Sequence, residues 1–228
     1  MLATINTTPA DGLGPLLANL GGYVFWTVAY LLILRRAFRE QSFGIPIAAL
    51  CANVAWETLA STVLGFPSGP RIGNMIWLGL DLVILYTCLR FGPEDFTQPE
   101  VKKWFRPMVL IGVGVMLWAE SAFVFAYADP YGVHASWVNT FVVSAQLPAM
   151  FWRRNSLKGQ SFYIGLSILL GDISGYFMIH FVNEKLPGQV HMNLMNALFA
   201  GILATNVLYV TLLYRRCKQE GLNPWKHW

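Results

Sequence analysis

The chain is 228 residues long, 55% hydrophobic and only 12% charged, with a mean hydropathy of +0.47. That balance excludes an ordinary soluble domain, and apolar runs of about 20 residues point to an all-α, polytopic membrane protein. The net charge of +4 is spread between the apolar runs rather than over one soluble face, so it reports topology and gives no reason to expect a nucleic-acid partner.

The length fits one membrane domain, 1–228, with no linker. The N-terminus has no Lys or Arg before the first apolar run, so it does not read as a cleavable signal peptide. Seven spans are predicted, at 13–34, 43–65, 72–90, 107–128, 135–151, 161–182 and 192–214. Of the 16 Lys and Arg, 14 follow spans one, three and five or lie in the C-terminal tail. The positive-inside rule therefore puts the N-terminus outside or in the lumen and the C-terminus in the cytoplasm. In a eukaryotic cell the membrane would be that of the endoplasmic reticulum, with Asn6-Thr7-Thr8 as a lumenal glycosylation sequon.

Span two carries Glu57, about 14 residues and hence about 21 Å from its cytoplasmic end. A charged carboxylate near that depth costs ~2.5–3.5 kcal/mol or more, so an intramembrane acid marks a functional site unless it serves only to tie helices together. Asn53 and Ser61 lie one turn to either side on the same face. Span three brings Asp81 near the midplane, and span four brings Glu120 to a depth like that of Glu57. Span five places Asn139 and Gln146 on one face, and span six does the same with Asp172, Tyr176 and His180. Span seven adds Asn193, Asn196 and Asn206. For any single Asn or Gln, interhelical hydrogen bonding is the simpler role; so many together are tolerated in lipid only around a cavity or against one another.

Four carboxyls with no intramembrane Lys or Arg beside them cannot all be charged, and a neutral carboxyl in an apolar site is a ready proton donor. Among the aromatics, Trp26, Trp77, Trp104, Trp137 and Trp152 fall near span ends or in loops and read as interfacial belt. Trp56 and Trp118 stand beside or two residues from an acid, where their ring faces would stabilise a cation by ~0.5–2 kcal/mol each.

A faint internal repeat runs through the chain. Arg35-Arg36 and Gln41-Ser42-Phe43 precede span two, just as Arg153-Arg154 and Gln160-Ser161-Phe162 precede span six. Asp81 stands nine residues before Arg90, and Asn206 nine before Arg215. Spans one to three and five to seven read as parallel copies joined by span four, an arrangement that puts a site between the halves.

Several chemistries have no residues to carry them. The chain holds no aspartate-rich magnesium motif, HExxH, GxSxG or glycine-rich phosphate loop, and no lysine in span seven for a retinal Schiff base. Cys51, Cys88 and Cys217 match no zinc spacing and no disulfide framework. No metal or other cofactor is expected.

With its length, seven spans and the Trp56-Glu57 pair late in span two, the chain resembles the small integral-membrane terpene cyclases of fungal meroterpenoid and indole-diterpene pathways, the paspaline-type cyclases. The resemblance implies acid-initiated cyclisation of a lipophilic prenylated substrate, commonly epoxidised, supplied by a prenyltransferase and an epoxidase. It places the first acid at Glu57. The family's second acid, in the last span, matches Asn206, which cannot donate a proton as a carboxylic acid does; Asp81, Asp172 or Glu120 would then supply the second carboxyl, or initiation would be by alkene protonation. Asn53, Trp56, Trp118, Glu120, Asn139, Gln146, Tyr176 and Asn196 are the candidate substrate-binding residues. The rival reading is a proton-coupled transporter of three-plus-one-plus-three design using the same carboxyls. Transport would favour spans broken by Gly or Pro in matching halves, and Pro148 in span five has no partner in span one. A scaffold or receptor role finds little surface in such short loops.

Overall fold

A computed structural model describes residues 13–66, 68–185 and 188–228; the sequon at Asn6 lies outside them. Among these residues the chain forms seven α-helices: α1 (Leu13–Glu40), α2 (Ile47–Thr62), α3 (Ser68–Phe91), α4 (Pro99–Ala126), α5 (Val133–Arg154), α6 (Phe162–Lys185) and α7 (Met192–Gln219). A single 3-10 turn, Gly92–Asp95, follows α3. Each predicted span has its helix, and α1, α3 with its turn, α4, α6 and α7 are long and apolar enough to cross a membrane.

The other two helices differ, for physical reasons. α2 is shorter than the span predicted over 43–65. Pro46, which has no N–H, stands at its N-cap, and the N–H groups of Val63 and Leu64 both close on the Leu59 carbonyl at 2.8 and 2.9 Å. Its 16 residues span only about 24 Å. α5 is long enough but carries His134, Ser136, Asn139, Thr140, Ser144 and Gln146. Both helices are interior: 11 residues of α2 are buried, and α5 buries Asn139 and Ser144 along with Val143, Leu147 and Phe151.

α1 packs on α3 and α6, and α5 packs on α7 and α2; α2 also packs on α3, and α6 on α7. Exchanging α1 with α5, α2 with α6 and α3 with α7 maps these pairings onto themselves, while α4 lies mainly on α2 outside the exchange. The two repeated loops meet: the Gly159 N–H donates to Glu40 at 2.6 Å and Arg154 Nη1 donates to the Phe43 carbonyl at 2.6 Å. Large apolar side chains turn outward along α1 (Leu16, Leu20, Val24, Leu31) and α4 (Met108, Ile111, Val115, Phe125). An apolar surface of that extent suits lipid and not water.

The start of α5 is built with particular care. The Asp129 carboxylate accepts the N–H groups of Val133, His134 and Ala135 at 2.9, 2.8 and 3.1 Å, satisfying donors that the first helical turn leaves free. Gly132 before it has φ +60, and a Cβ there would lie 2.4 Å from the Trp56 ring. Only glycine meets both demands, and it seats Trp56 against the helix start.

Candidate functional site

Between the two halves lies a cavity of about 270 Å³. α1 contributes Tyr23, Trp26 and Tyr30; α2 contributes Asn53, Trp56 and Glu57; α3 contributes Asn74 and Trp77. From the other half come Trp137, Asn139 and Thr140 of α5 and Gly171, Asp172 and Gly175 of α6. Among the described residues no Lys or Arg lines it.

Glu57 is 4% exposed. Among the described residues its buried Oε2 has no hydrogen-bond partner, and its acidic neighbours are Asp81 and Glu120. No Lys or Arg among the described residues joins these three carboxyls from the cavity wall, and full charge on all of them would be costly in a low dielectric. The Asn139 side-chain amide donates to Asn53 Oδ1 at 3.1 Å, Asn53 Nδ2 to Tyr30 Oη at 3.0 Å, and the Tyr30 hydroxyl to Asp81 Oδ2 at 3.4 Å. Asp81 itself is fully buried behind Tyr30 and does not line the cavity.

Asp172 faces the cavity within a donor-rich shell. Trp26 Nε1 donates to its Oδ1 at 3.0 Å, while Asn206 Nδ2 and Ser144 Oγ donate to its Oδ2 at 2.7 and 3.4 Å. Asn206 is 1% exposed and does not line the cavity; it acts through Asp172.

Of the residues singled out in the sequence, Glu57, Asn53, Trp56, Asn139 and Asp172 converge on the cavity, with Asp81 and Asn206 one layer behind. Trp118, Glu120, Gln146, Tyr176 and Asn196, also proposed for the site, do not line it. Trp118 is 77% exposed on the outer face of α4, so its ring meets lipid. Glu120 and Gln146 are half-buried outside the lining. Tyr176 donates to Asn196 Oδ1 at 2.7 Å and stacks on Phe199 at 3.8 Å, forming a clasp between α6 and α7 beyond Trp137.

The rings that do line the cavity besides Trp56 are Tyr23, Trp26, Tyr30, Trp77 and Trp137. Three of them, Trp26, Trp77 and Trp137, correct the interfacial-belt reading, which weighed depth and not direction. A signal was present: Tyr23, Trp26 and Tyr30 recur at three- and four-residue steps, as do Asn74, Trp77 and Asp81, each set forming one helix face.

Trp26 can reach Asp172 because α6 has no side chain in its path. A Cβ at Gly171 would lie 2.6 Å from Trp26 Cδ1 and 3.0 Å from its Nε1. The indole is rigid, so Gly171→Ala is expected to push it off Asp172 and open the α1–α6 contact. The thermal midpoint in detergent should fall by the equivalent of ~1–3 kcal/mol. A variant melting with the wild type would mean that the contact yields without strain.

Comparison with known proteins places this geometry in context. A family model described as Pyr4-like transmembrane terpene cyclases matches residues 16–219. Over 151 residues the chain is 32% identical to the Pyr4-family terpene cyclase mfmH of Annulohypoxylon moriforme, covering 65% of the chain and 62% of that relative. It is 26% identical over 205 residues to the terpene cyclase pyr4 of Aspergillus fumigatus, covering 86% of the chain and 83% of that protein. A third relative is asnovolin H synthase nvfL of Aspergillus novofumigatus, 24% identical over 66% of the chain and 63% of that protein. No solved structure matches the chain.

Proposed function

Since the chain belongs to the Pyr4-like transmembrane terpene cyclases, we propose that it cyclises a lipophilic, prenylated substrate of meroterpenoid type whose terminal alkene has been epoxidised. In this reading a prenyltransferase and an epoxidase supply the substrate, and the reaction needs no metal, in keeping with a sequence that lacks a diphosphate-ionising aspartate motif. All seven helices lie within the bilayer, the N-terminus in the lumen and the C-terminus in the cytoplasm, in the endoplasmic reticulum of a eukaryotic cell. α2 and α5, short or polar, are accommodated because their neighbours cover them.

Glu57 is the general acid. Its carboxyl proton passes to the epoxide oxygen, the C–O bond breaks to leave a hydroxyl group, and successive alkenes attack the growing cation. Trp26, Trp56, Trp77, Trp137 and the two tyrosines present ring faces to that cation, each worth ~0.5–2 kcal/mol when desolvated. The enclosure folds the chain before reaction and keeps water from trapping intermediates.

The observation that carries this reading is the convergence of an unpaired, buried carboxyl and six aromatic rings on one cavity without a cation. The relatives mfmH and pyr4 are terpene cyclases by name, so transport by the same carboxyls is not favoured. The test is to incubate membranes containing the chain with a farnesylated phenol bearing a terminal epoxide, and with the unepoxidised compound beside it. A cyclised isomer of unchanged mass from the epoxide is expected. Conversion of neither compound, with the protein verified in the membrane, would overturn the proposal; conversion of the plain alkene alone would overturn epoxide initiation.

A further inference from the structure

The two carboxyls that face the cavity are held in opposite ways. Among the described residues Glu57 Oε2 has no donor, whereas Asp172 receives three, from α1, α5 and α7, aimed at both of its oxygens. A carboxylate accepts such hydrogen bonds only through lone pairs, and donors of this kind favour its charged form. The pair reaches the cavity from α2 and α6, which are not among the packed helix pairs.

The internal repeat makes the asymmetry sharper. Asn53 stands twelve residues after Gln41 and Asp172 twelve after Gln160. The first half thus carries an amide on its second helix and an acid, Asp81, on its third. The second half carries the acid on its second helix and an amide, Asn206, on its third. The exchange brings a carboxylate to the cavity wall of the second half at the point where the first half presents an amide. Two carboxyls in such different surroundings divide acid and base work between them.

We propose that Asp172 is the base that ends the cascade, and that the product is therefore a new alkene rather than a water-trapped alcohol; the proposal rests on the cyclase reading above. Once the rings have closed, an Asp172 oxygen takes a proton from the carbon next to the last cationic centre. The electrons of that C–H bond become the new double bond, and the product is an isomer of the substrate. Asp172 is then neutral and Glu57 charged, so one proton returns from the first to the second before the next turnover, and no co-reactant is consumed. Trp26, Ser144 and Asn206 are positioning residues that hold both oxygens of the Asp172 carboxyl in place at the cavity wall.

The experiment compares products from the epoxidised farnesyl phenol formed by membranes carrying the wild type, Asp172→Asn, Asp172→Glu and Trp26→Phe. Asp172→Asn should still consume substrate, because Glu57 is intact. Its principal alkene should fall at least about tenfold relative to alcohols of one added water and to other alkene isomers. Asp172→Glu should restore much of the alkene. Trp26→Phe, which keeps the carboxyl and removes one donor, should shift the ratio in the same direction by less and keeps the test valid if Asp172→Asn folds poorly. An unchanged product ratio in both Asp172→Asn and Trp26→Phe would assign Asp172 a purely structural role and overturn the proposal. So would loss of all consumption in a well-folded Asp172→Asn, which would place Asp172 in initiation. Failure of the wild type to convert the probe would instead strike the cyclase reading, and this inference with it.

Discussion

Glu57→Gln is expected to reduce turnover of the epoxidised substrate by ~10²–10⁴-fold while leaving the protein folded. The amide has the size and shape of the acid, so the cavity keeps its form, but it offers no carboxyl proton to an epoxide oxygen. No hydrogen bond is lost at Oε2, which has no partner, and the substitution removes a carboxyl from beside Asp81 and Glu120. The thermal midpoint should therefore hold or rise as activity collapses. That separation distinguishes a catalytic acid from a structural one, since breaking a structural buried hydrogen bond leaves its partner unsatisfied and costs ~1–3 kcal/mol. Measured in detergent and in membranes, wild-type turnover by the Gln variant would remove Glu57 from the mechanism. A sharp fall in melting temperature would assign it to packing.

The largest effect on stability is expected at the other end of the bundle, where Arg154 ties three connections together. Its guanidinium, with its side chain 7% exposed, pairs with Asp95 at 2.7 Å. It also donates to the Phe43 carbonyl at 2.6 Å and lies 4.1 Å over the Phe43 ring. Burial lowers the pKa of this arginine, and the neighbouring Asp95 carboxylate works against that shift. Arg154→Met would strand Asp95 as a buried charge, and breaking one side of such a pair costs ~3–5 kcal/mol. The loops that carry the repeated Gln-Ser-Phe motif meet at this point, so the two halves should loosen against each other. Adding Asp95→Leu should recover much of the loss, because the uncompensated charge and not the missing attraction dominates the cost. Thermal unfolding of the single and double variants decides it; a single variant as stable as the wild type would contradict the packing described.

How much was legible in the sequence differs from residue to residue. The number and order of the helices, the one-sided placement of the basic residues between them and the presence of an acid at depth on α2 follow from hydropathy and charge along one dimension. That dimension is enough because a bilayer is stratified: a charge has a cost that depends on how far along a helix it sits. The Trp56-Glu57 pair and the repeated loop motif are local strings and need no fold to be read.

Direction around each helix was another matter. Lipid and protein interior are both apolar, so the two faces of a membrane helix differ little in hydrophobicity. Buried Ile164 and Ile168 and exposed Phe177 occupy one and the same helix, α6. For that reason the sequence reading set Trp118 beside a cation and Trp26 in the interfacial belt, and packing reversed the two. α4 lies on α2 with Trp118 outward, while Gly171 lets α6 come close enough to α1 for the Trp26 indole to reach Asp172. The partnership of Asp172 with Asn206, 34 residues away on another helix, likewise depends on how α6 and α7 cross. By itself the sequence determined that this is a membrane bundle with acids at depth, because insertion energies act on each residue separately. Only the tertiary structure decided which of those acids share a cavity, because that depends on the azimuth and spacing of helices distant along the chain.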